Sequence, residues 1–456
     1  MSASRDAAGT SGGTARGNLY DLCAAGAGAL LFTLAVLIGR PLEEGEGVLV
    51  LRWPPLYAHW FPHAGPGTPA ALVVAALVVA YGPETARRLP ARALAPACWG
   101  AALAWSTSLA LIDGWRMGVA GRLTTVHEYL GSVGEVRDLG AFLHAFTGRI
   151  LIDSPGHWPA HVAGHPPGAL LTFVGLDRLG LHGGGWAGVF VLLVGSSAAA
   201  AVIVTLRALG GEVPARRAAP FLALAPAAVW MGVSADGCFT AVGAWAVALL
   251  ALAVTRTVRR PPLAALGSGL LFGLLCFLSY GLVLLGAVAL AVLVAAHRHL
   301  RVPVRALALS VVLVGVGMAC WFVLFAAGGF SWWEGYVTLH QRYYQGAGGF
   351  RPYGYFVWAN LAVQCVVLGP AVLAGLRRAA ALRRGALVTL ATGALAALLL
   401  ADASGLSKAE TERIWLPFTL WLLPLAALLP RGTVRWWLTA QATLALAVNH
   451  LLMTGW

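Results

Sequence analysis

The sequence contains little charge and almost no lysine. Asp, Glu, Lys and Arg make up 11% of the 456 residues, and hydrophobic residues make up 59%. Soluble domains carry about 25% charged residues. Lys408 is the one lysine among 31 basic residues, and the other 30 are arginine. This composition excludes an ordinary soluble domain. It indicates a polytopic membrane protein, because apolar runs of about 17–25 residues, each long enough to cross a bilayer, recur along the chain.

Other absences narrow the class further. Residues 1–17 lack the layout of a cleaved signal peptide, so we expect a disordered cytoplasmic tail followed by a retained span. No pair among the six cysteines has metal-ligand spacing, and we interpret all six as small core residues. The net charge of +13 comes without a basic domain that carries interleaved aromatic residues, so no nucleic-acid partner is expected. The Ala-, Gly- and Arg-rich usage is typical of a GC-rich bacterial genome, as in actinobacteria.

The apolar runs predict an all-α protein of about thirteen transmembrane helices, with the N-terminus inside and the C-terminus outside. Residues 18–93 hold an N-terminal pair of these helices, and residues 94–456 hold the main membrane domain with a large outer loop at residues 114–185. The predicted spans are residues 22–40, 66–82, 94–113, 186–206, 218–234, 237–255, 262–278, 281–296, 306–327, 355–376, 385–401, 415–430 and 436–453.

The arginines set the predicted orientation. The inner segments contain 20 arginines and four acidic residues, a net charge of +16, while the outer segments contain 11 basic and 14 acidic residues, a net charge of −3. The positive-inside rule predicts this asymmetry, and the basic side would face the anionic inner leaflet of a bacterial plasma membrane. Most acids, Lys408 and the long polar loops then lie outside, so we expect the chemistry on the extracytoplasmic side.

The large outer loop begins with a segment that we predict to be an interfacial helix. Apolar residues recur from Val126 to Ile150 at spacings of three and four, which is typical of an amphipathic helix, or of two helices broken near Gly131–Gly134. On a continuous helix, Glu128, Glu135 and Asp138 share one face, because seven residues are close to two turns. The alternative is a solvated polar face with no function.

Three histidines follow in the stretch "SPGHWPAHVAGHPPG", namely His157, His161 and His165. Their spacing of four is compatible with a zinc site. However, the prolines around them prevent one regular helix from presenting them together, and no carboxylate supplies an obvious fourth ligand. We therefore expect a rigid loop whose histidines donate hydrogen bonds, and we assign no metal site.

Three other outer segments are polar: the hairpin "VSADGCF", the aromatic loop "GGFSWWEGYVTLHQRYYQGAGGF", and "SGLSKAETERIW". Their candidate residues are Asp236, Arg342, Tyr343, Lys408, Glu410, Glu412 and Arg413. The aromatic loop is typical of an interfacial belt and also of a surface that contacts sugars or polyprenyl chains. The lysine segment is either a polar hairpin, with local salt bridges of at most ~1 kcal/mol each, or a functional site, because charges at a membrane boundary are costly.

This arrangement resembles the C-type glycosyltransferase fold. The resemblance is carried by "HVAGHPPGALLTF" closing the large loop, "SADG" at the next outer hairpin, and a late outer loop with lysine and arginine. From about residue 94 onward, the layout is similar to bacterial aminoarabinose-to-lipid-A transferases, protein O-mannosyltransferases, and actinobacterial arabinosyl- and mannosyltransferases. Two features depart from that pattern. The acidic loop follows the third span instead of the first, and its best-placed acid is Glu128 instead of an aspartate.

The resemblance implies a transferase that moves a sugar from a polyprenyl-phosphate donor to an extracytoplasmic glycan, lipid or protein of the cell envelope, with inversion. A carboxylate deprotonates the acceptor hydroxyl; we assign Glu128, with Asp138 as the fallback. Cations stabilise the departing phosphate. The phosphate-binding candidates are Lys408, Arg413 and Arg342, and the substrate-binding candidates are His161, His165, Asp236, Tyr343, Glu410 and Glu412. No cofactor is assigned with certainty, and a divalent cation stays open, because divalent ions assist some relatives of this kind.

Two other functions stay open. A transporter or lipid flippase would carry charges or broken Gly/Pro segments in the middle of its spans, together with internal repeats. The sequence has few such residues and no obvious repeat. The other alternative is a non-catalytic partner that keeps the fold but has lost the aspartate base. The sugar, the acceptor and the polyprenyl length are not identified by the sequence.

Overall fold

The computed structural model describes the backbone of residues 3–455 and the side chains from Arg16 onward. The disordered tail predicted at residues 1–17 therefore lies almost wholly outside the fully described residues. The described fold is nearly all α-helical, with two short strands. The helices are α1 Ala3–Glu46, α2 Thr68–Arg88, α3 Ala91–Ala110, α4 Leu139–Ala145, α5 Ala160–Gly164, α6 Pro167–Arg178, α7 Gly183–Ser196, α8 Ala198–Gly210, α9 Glu212–Ala223, α10 Ala228–Met231, α11 Ala235–Thr255, α12 Pro261–Leu278, α13 Gly286–Leu300, α14 Val304–Ala327, α15 Trp332–Gln345, α16 Tyr353–Leu368, α17 Pro370–Leu382, α18 Ala386–Ala403, α19 Thr411–Ile414, α20 Leu416–Thr419 and α21 Val434–Leu451; the strands are β1 Ala58–Trp60 and β2 Leu452–Thr454.

Nine helical segments of the described chain are long and apolar enough to cross a membrane. They are Arg16–Glu46, Thr68–Arg88, Ala91–Asp113, Gly183–Gly210, Ala235–Thr255, Pro261–Leu278, Tyr280–Leu300, Val304–Ala327 and Ala386–Ala403. Each overlaps one of the predicted spans. The protein is therefore a multi-pass helical membrane protein.

The predicted count of thirteen spans is not confirmed. The span predicted at residues 355–376 is a pair of helices, α16 and α17, bent by 107° where they meet. Residues 218–234 are broken between α9 and α10, residues 415–430 form only short helical pieces, and α21 is too polar to qualify. The apolar composition of these last three segments predicted a span in each. Prolines break the helices of the first two, and buried amide side chains make α21 more polar.

The connecting segments gather into two groups. Among the segments predicted to lie outside, Tyr57 N donates to Glu412 Oε1 at 2.9 Å across 355 residues of sequence, and Gln345 Nε2 donates to Asp153 Oδ2 at 3.0 Å. We call this end of the helix bundle the outer end, after the predicted topology.

The segments predicted to lie inside contact one another in the same way. Arg207 Nη1 donates to Ala91 O at 2.9 Å, and Arg378 Nη2 pairs with Asp21 Oδ2 at 2.6 Å. We call this the inner end. The predicted topology, including which end faces the cytoplasm, stays a prediction.

The interfacial helix predicted in the outer loop is wrong as a continuous element. Around α4, the chain forms the 3-10 helices Arg122–Thr124, Leu130–Glu135 and Thr147–Arg149. Helix α4 begins anew because the Asp138 carboxylate caps it, accepting from Ala141 N at 2.6 Å. Glu128 lies in a turn before the second 3-10 helix. Consequently Glu128, Glu135 and Asp138 do not share one helix face.

The N-terminal helices are packed into the rest of the bundle. Helix α1 packs against α16 and α17, and α2 packs against α9 and α21. Strand β1 pairs antiparallel with β2, with Ala58 opposite Thr454. A small buried cluster that includes Ala35 of α1, Tyr355 of α16 and Ala409 ties α1 to the lysine segment. These contacts fix the outer loops against each other.

Candidate functional site

Arg413 lies at the centre of a polar cluster at the outer end. It belongs to the one-turn helix α19 and is 3% exposed. One guanidinium nitrogen pairs with Asp236 in the first turn of α11, and the other donates to Glu410 Oε2 at 3.1 Å. Burial disfavours the charge of Arg413, but the nearby carboxylates of Asp236, Glu410 and Glu128 outweigh it and raise its pKa. The cluster therefore holds a permanent cation among anions from separate segments.

His161 connects Arg413 to Glu128. Its Nε2 lies 3.3 Å from Arg413 Nη2, and its Nδ1 lies 2.9 Å from Glu128 Oε1. Because a guanidinium can only donate hydrogen bonds, Nε2 must accept and carry no proton. The ring proton is then on Nδ1, which donates to Glu128. The same contacts fix the tautomer of His161 and the orientation of the carboxylate.

Glu128 has one fixed oxygen and one available oxygen. Its side chain is 7% exposed, and Oε1 accepts from His161. Oε2 is buried and has no hydrogen-bond partner among the described residues. An unsatisfied buried polar atom costs about 1–3 kcal/mol, or more when charged, so it calls for an explanation such as a catalytic role.

Tyr129 and His165 form a neutral wall of the cluster. The ring of Tyr129 stacks on Phe173 with 5.3 Å between centroids, and its hydroxyl lies 3.1 Å from His165 Nδ1. Burial lowers the pKa of His165 to about 4. Burial, together with the negative charges of Glu128 and Asp236, raises the pKa of Tyr129 well above its ordinary value. Both side chains are therefore uncharged near pH 7, and Arg413 is the cation that faces Glu128 through His161.

Lys408 lies beside the cluster on a strained segment. Ala409 and Glu410 both have left-handed backbone conformations, with φ of 73° and 62°, which cost non-glycine residues about 1–3 kcal/mol each. Lys408 Nζ donates to Gly348 O at 2.8 Å and lies 5.7 Å from the ring centroid of Tyr344. Strain of this kind gathers at functional sites, which makes the segment a candidate for a functional role.

Sequence reasoning missed Arg351, which holds the lysine segment in place. Its Nη1 donates to Lys408 O at 2.8 Å, and its Nε donates to Leu49 O at 2.9 Å. The guanidinium also lies 3.7 Å from Glu410. Ten of the 30 arginines lie in the predicted outer segments, so the sequence did not single out Arg351. It joins the segment that follows α1 to the lysine segment.

Glu412 is fully buried and titrates near neutral pH. Its Oε1 accepts from Tyr57 N at 2.9 Å. Burial raises the pKa of Glu412 to about 7, because the backbone hydrogen bonds compensate only in part. Glu412 thus links α19 to the segment that leads into β1, and its charge depends on pH in the physiological range.

Two predicted site residues lie apart from the cluster. Asp138 is the N-cap of α4, so its carboxylate has a structural partner. Arg342 on α15 is half-buried; burial lowers its pKa, and its Nε has no hydrogen-bond partner among the described residues. The adjacent Tyr343 does reach the lysine segment, because its hydroxyl accepts from Lys408 N at 3.1 Å.

The histidines do not form a metal site. Within the described part of the chain, no three His, Cys, Asp or Glu side chains are arranged to hold a metal ion. His157 Nδ1 lies 3.2 Å from the carbonyl of Trp158, away from the hydrogen-bonded pair of His161 and Glu128.

A second polar group at the outer end was also missed. Asp113 pairs with Arg122 and lies 2.7 Å from His63 Nε2. Arg122 Nη1 donates to Thr454 O at 2.8 Å, which anchors β2. His63 and Thr454 are 50 and 332 residues from their partners in the sequence, so no short motif could have grouped them with Asp113 and Arg122.

An apolar groove with a volume of about 380 Å³ opens beside α1. Its walls include Phe32, Trp53, Leu56, Trp60, Cys365 and Leu452. Leu56 directly precedes Tyr57, whose N–H binds Glu412. The groove therefore reaches the rim of the polar cluster without including Glu128.

Comparisons with known proteins identify no family. No family model and no curated protein matches the chain. Among solved structures, the chain is similar to the oligosaccharyltransferase of Archaeoglobus fulgidus, crystallised with zinc and sulfate, at 17% identity and a TM-score of 0.43. The match covers 77% of this chain and 53% of that protein, so the chain spans about half the length of the protein it matches.

Proposed function

We propose that the protein is a membrane glycosyltransferase that moves a sugar from a polyprenyl-phosphate donor to a hydroxyl of a cell-envelope glycan, lipid or protein. The observation that carries the proposal is the state of Glu128. Its Oε1 is fixed by His161, and its buried Oε2 has no hydrogen-bond partner among the described residues. A carboxylate held in this way, next to cations, is what glycosyl transfer needs.

Glu128 is the general base in this mechanism. Oε2 takes the proton of the acceptor hydroxyl while the hydroxyl oxygen attacks the anomeric carbon. The bond from that carbon to the phosphate oxygen breaks, and polyprenyl phosphate leaves with the electron pair. One base and no covalent intermediate give inversion. His161 occupies Oε1, so only Oε2 is left for the acceptor.

The cations divide into two roles. Arg413 is buried among carboxylates, and through His161 it orients Glu128. Lys408 and Arg342 are only partly buried and approach from the aromatic loop side. We assign the departing phosphate to these two, with Arg413 adding to the positive field. Tyr343, Glu410 and His165 then line the approach to the base.

The apolar groove beside α1 supports a lipid-linked donor. It is lined mainly by apolar side chains, and one of its lining residues, Leu56, directly precedes Tyr57, which contacts Glu412. An isoprenoid chain is apolar and slender, and burying it gains about 25 cal/mol per Å² of apolar surface. A donor with its chain in this groove has its phosphate near the lysine segment.

The test is transfer from radiolabelled polyprenyl-phosphate sugars by the purified full-length protein, compared with Lys408→Met. We expect release of polyprenyl phosphate by the unsubstituted protein. In Lys408→Met we expect activity reduced at least tenfold, while Lys408→Arg keeps part of it. No release of polyprenyl phosphate with any donor tested contradicts the proposed transferase activity. Full activity of Lys408→Met at unchanged donor affinity contradicts the phosphate-binding role of Lys408.

A transporter or lipid flippase is the second candidate, favoured by the 107° bend between α16 and α17. At this bend Gln441 Oε1 accepts from Ala371 N at 3.2 Å, and Gln441 Nε2 donates to Leu368 O at 2.9 Å. The backbone groups freed by the bend are therefore satisfied within the protein. Movement of labelled lipid across a reconstituted bilayer without cleavage would support the transporter over the transferase.

A further inference from the structure

A pocket at the inner end combines arginine side chains with an apolar wall. It has a volume of about 610 Å³ and lies between α2, α9 and the segment that leads into α21. Its charged residues are Arg87, Arg216, Arg217, Arg431, Arg435 and Glu84. Apolar side chains, among them Phe221 and Val434, form much of the remaining wall.

The acids near the pocket neutralise only two of its arginines. Glu84 pairs with Arg87 at 2.6 Å, and Glu212 pairs with Arg216 at 3.0 Å. The other three arginines, Arg217, Arg431 and Arg435, have no carboxylate within ion-pair distance in the described part of the chain. The pocket therefore presents about three uncompensated positive charges.

The uncompensated charges repel one another. Arg217 is half-buried; burial, followed by the positive charges of Arg431 and Arg378, lowers its pKa. Arg217 donates to the carbonyl of Leu429, and Arg435 Nη2 donates to Ala80 O at 3.0 Å. These carbonyls hold the side chains in position but supply no counter-charge. An anion placed between the arginines removes the repulsion.

We propose that this pocket binds an anionic phospholipid, with its phosphate between Arg217, Arg431 and Arg435 and an acyl chain along the apolar wall. The apolar wall favours a lipid over a soluble phosphate. An apolar groove of about 320 Å³ shares Pro220 with the pocket and runs between α2, α3 and α9, which provides space for a second chain. Basic pockets between membrane helices are typical headgroup sites. This proposal is independent of the proposed transfer activity.

The experiment is native mass spectrometry of the purified full-length protein with three probes: dioleoylphosphatidylglycerol, dioleoylphosphatidylcholine and glycerol 3-phosphate. We expect retained adducts of the phosphatidylglycerol in preference to the phosphatidylcholine, which has the same chains. Binding should weaken by about tenfold or more in R217Q/R431Q/R435Q, since each basic residue near an anionic headgroup contributes to affinity. The matched control, R259Q/R260Q, removes two exposed arginines from the same end outside the pocket and should bind as before.

A thermal melt of each variant checks that it is folded. If the triple variant does not fold, R431Q alone serves as the test, because Arg431 is exposed, and it should weaken binding by a few-fold. Equal binding of the two phospholipids, or undiminished binding in the arginine variants, overturns the proposal. Full displacement of the lipid by glycerol 3-phosphate also overturns it, because the site would then recognise a soluble phosphate.

Discussion

The two ends of the bundle treat positive charge in opposite ways. At the outer end, buried Arg413 is enclosed by Asp236, Glu410 and, through His161, Glu128. At the inner end, Arg217 meets Arg431, and their charges have no paired carboxylate among the described residues. The outer arginine is neutralised by carboxylates of its own network, which hold it in place. These two inner arginines lack such carboxylates and need a bound anion to neutralise them. The two ends therefore differ in how their arginines are neutralised: by carboxylates of the same network at the outer end, and by none at Arg217 and Arg431.

Opening the outer network should have the largest effect. Arg413→Met leaves Asp236 buried without its partner, which should cost about 3–5 kcal/mol of unfolding free energy and abolish transfer. The measurement is thermal or denaturant unfolding in detergent. Arg217→Met at the inner end, which removes a repelled charge, should change stability by less than about 1 kcal/mol.

The double variant Asp236→Asn/Arg413→Met removes both charges and should recover part of the lost stability. Equal losses in the single and double variants would mean that the pair is not coupled.

Changing the base alone should affect activity more than stability. Glu128→Gln keeps the shape and an oxygen for His161 but cannot take a proton, so transfer should fall by about 10²–10⁴-fold. Unfolding should change little. The control is Glu135→Gln in the same outer loop, an exposed partner of Arg149, which should keep full activity. Similar rates for the two variants would remove Glu128 from the mechanism.

The inner end also contains a buried carboxylate, Asp21, enclosed by two arginines, and this group tests whether burial of the ion pair or its end of the bundle decides the effect on stability. Asp21 is 1% exposed and pairs with Arg377 and Arg378. Asp21→Asn should cost about 1.5–3 kcal/mol, the range for hydrogen bonds to charged groups. The loss is measured by unfolding, with the exposed Glu84→Gln as the control. If both variants are neutral, enclosure does not explain the stability of these pairs.

Two groups at the outer end should have opposite effects on how the stability of the protein changes with pH. The pKa of Glu412, about 7 against a usual 4.5, means that the folded state holds more protons, so this group lowers stability as pH rises from 4.5 to 7. The pKa of His165, about 4 against 6.5, has the opposite effect between pH 4 and 6.5. Glu412→Gln removes the first effect.

The Glu412→Gln variant should therefore gain stability relative to the unsubstituted protein as pH rises through that window. The expected gain in the free energy of unfolding is on the order of 1–3 kcal/mol. It is measured by thermal melts of both proteins at several pH values. If the stabilities of the two proteins change with pH in parallel, Glu412 has an ordinary pKa.

The smallest effect is expected from Asp138. Asp138→Ala loses the N-cap of α4, which should cost about 1 kcal/mol, with transfer unchanged. Kinetics and melting of the same preparation check both parts. A loss of activity comparable with that of Glu128→Gln would restore Asp138 as the base.

Composition and arginine distribution predicted much of the architecture, because both depend on short stretches of sequence. Of the thirteen spans that they predicted, the described helices match nine. The break between α16 and α17 was missed, since Gly369 and Pro370 lie inside an apolar run whose composition does not change. The interfacial helix was wrong because the Asp138 cap and the 3-10 turns override its periodicity.

The candidate site was predictable in its residue types but not in its contacts. Lys408, Arg413 and Glu128 were selected because charged residues are rare in this chain and because the resemblance requires a carboxylate and cations. The structure brings Glu128 and Arg413 into one cluster. The assignment of His161 as the connection between them required the fold, since 252 residues separate His161 from Arg413. Arg351 was missed because it acts through backbone carbonyls, which leave no pattern in the sequence.

The pairing of β1 with β2 has a consequence for biosynthesis. Strand β1 is synthesised early, yet its partner follows the last helix, and Arg122 also binds a carbonyl of β2. Contacts between such distant segments form late, because a long loop must close first. The loop that carries Glu128 and Arg122 therefore cannot make all of its contacts until the segment that forms β2 has been synthesised and inserted.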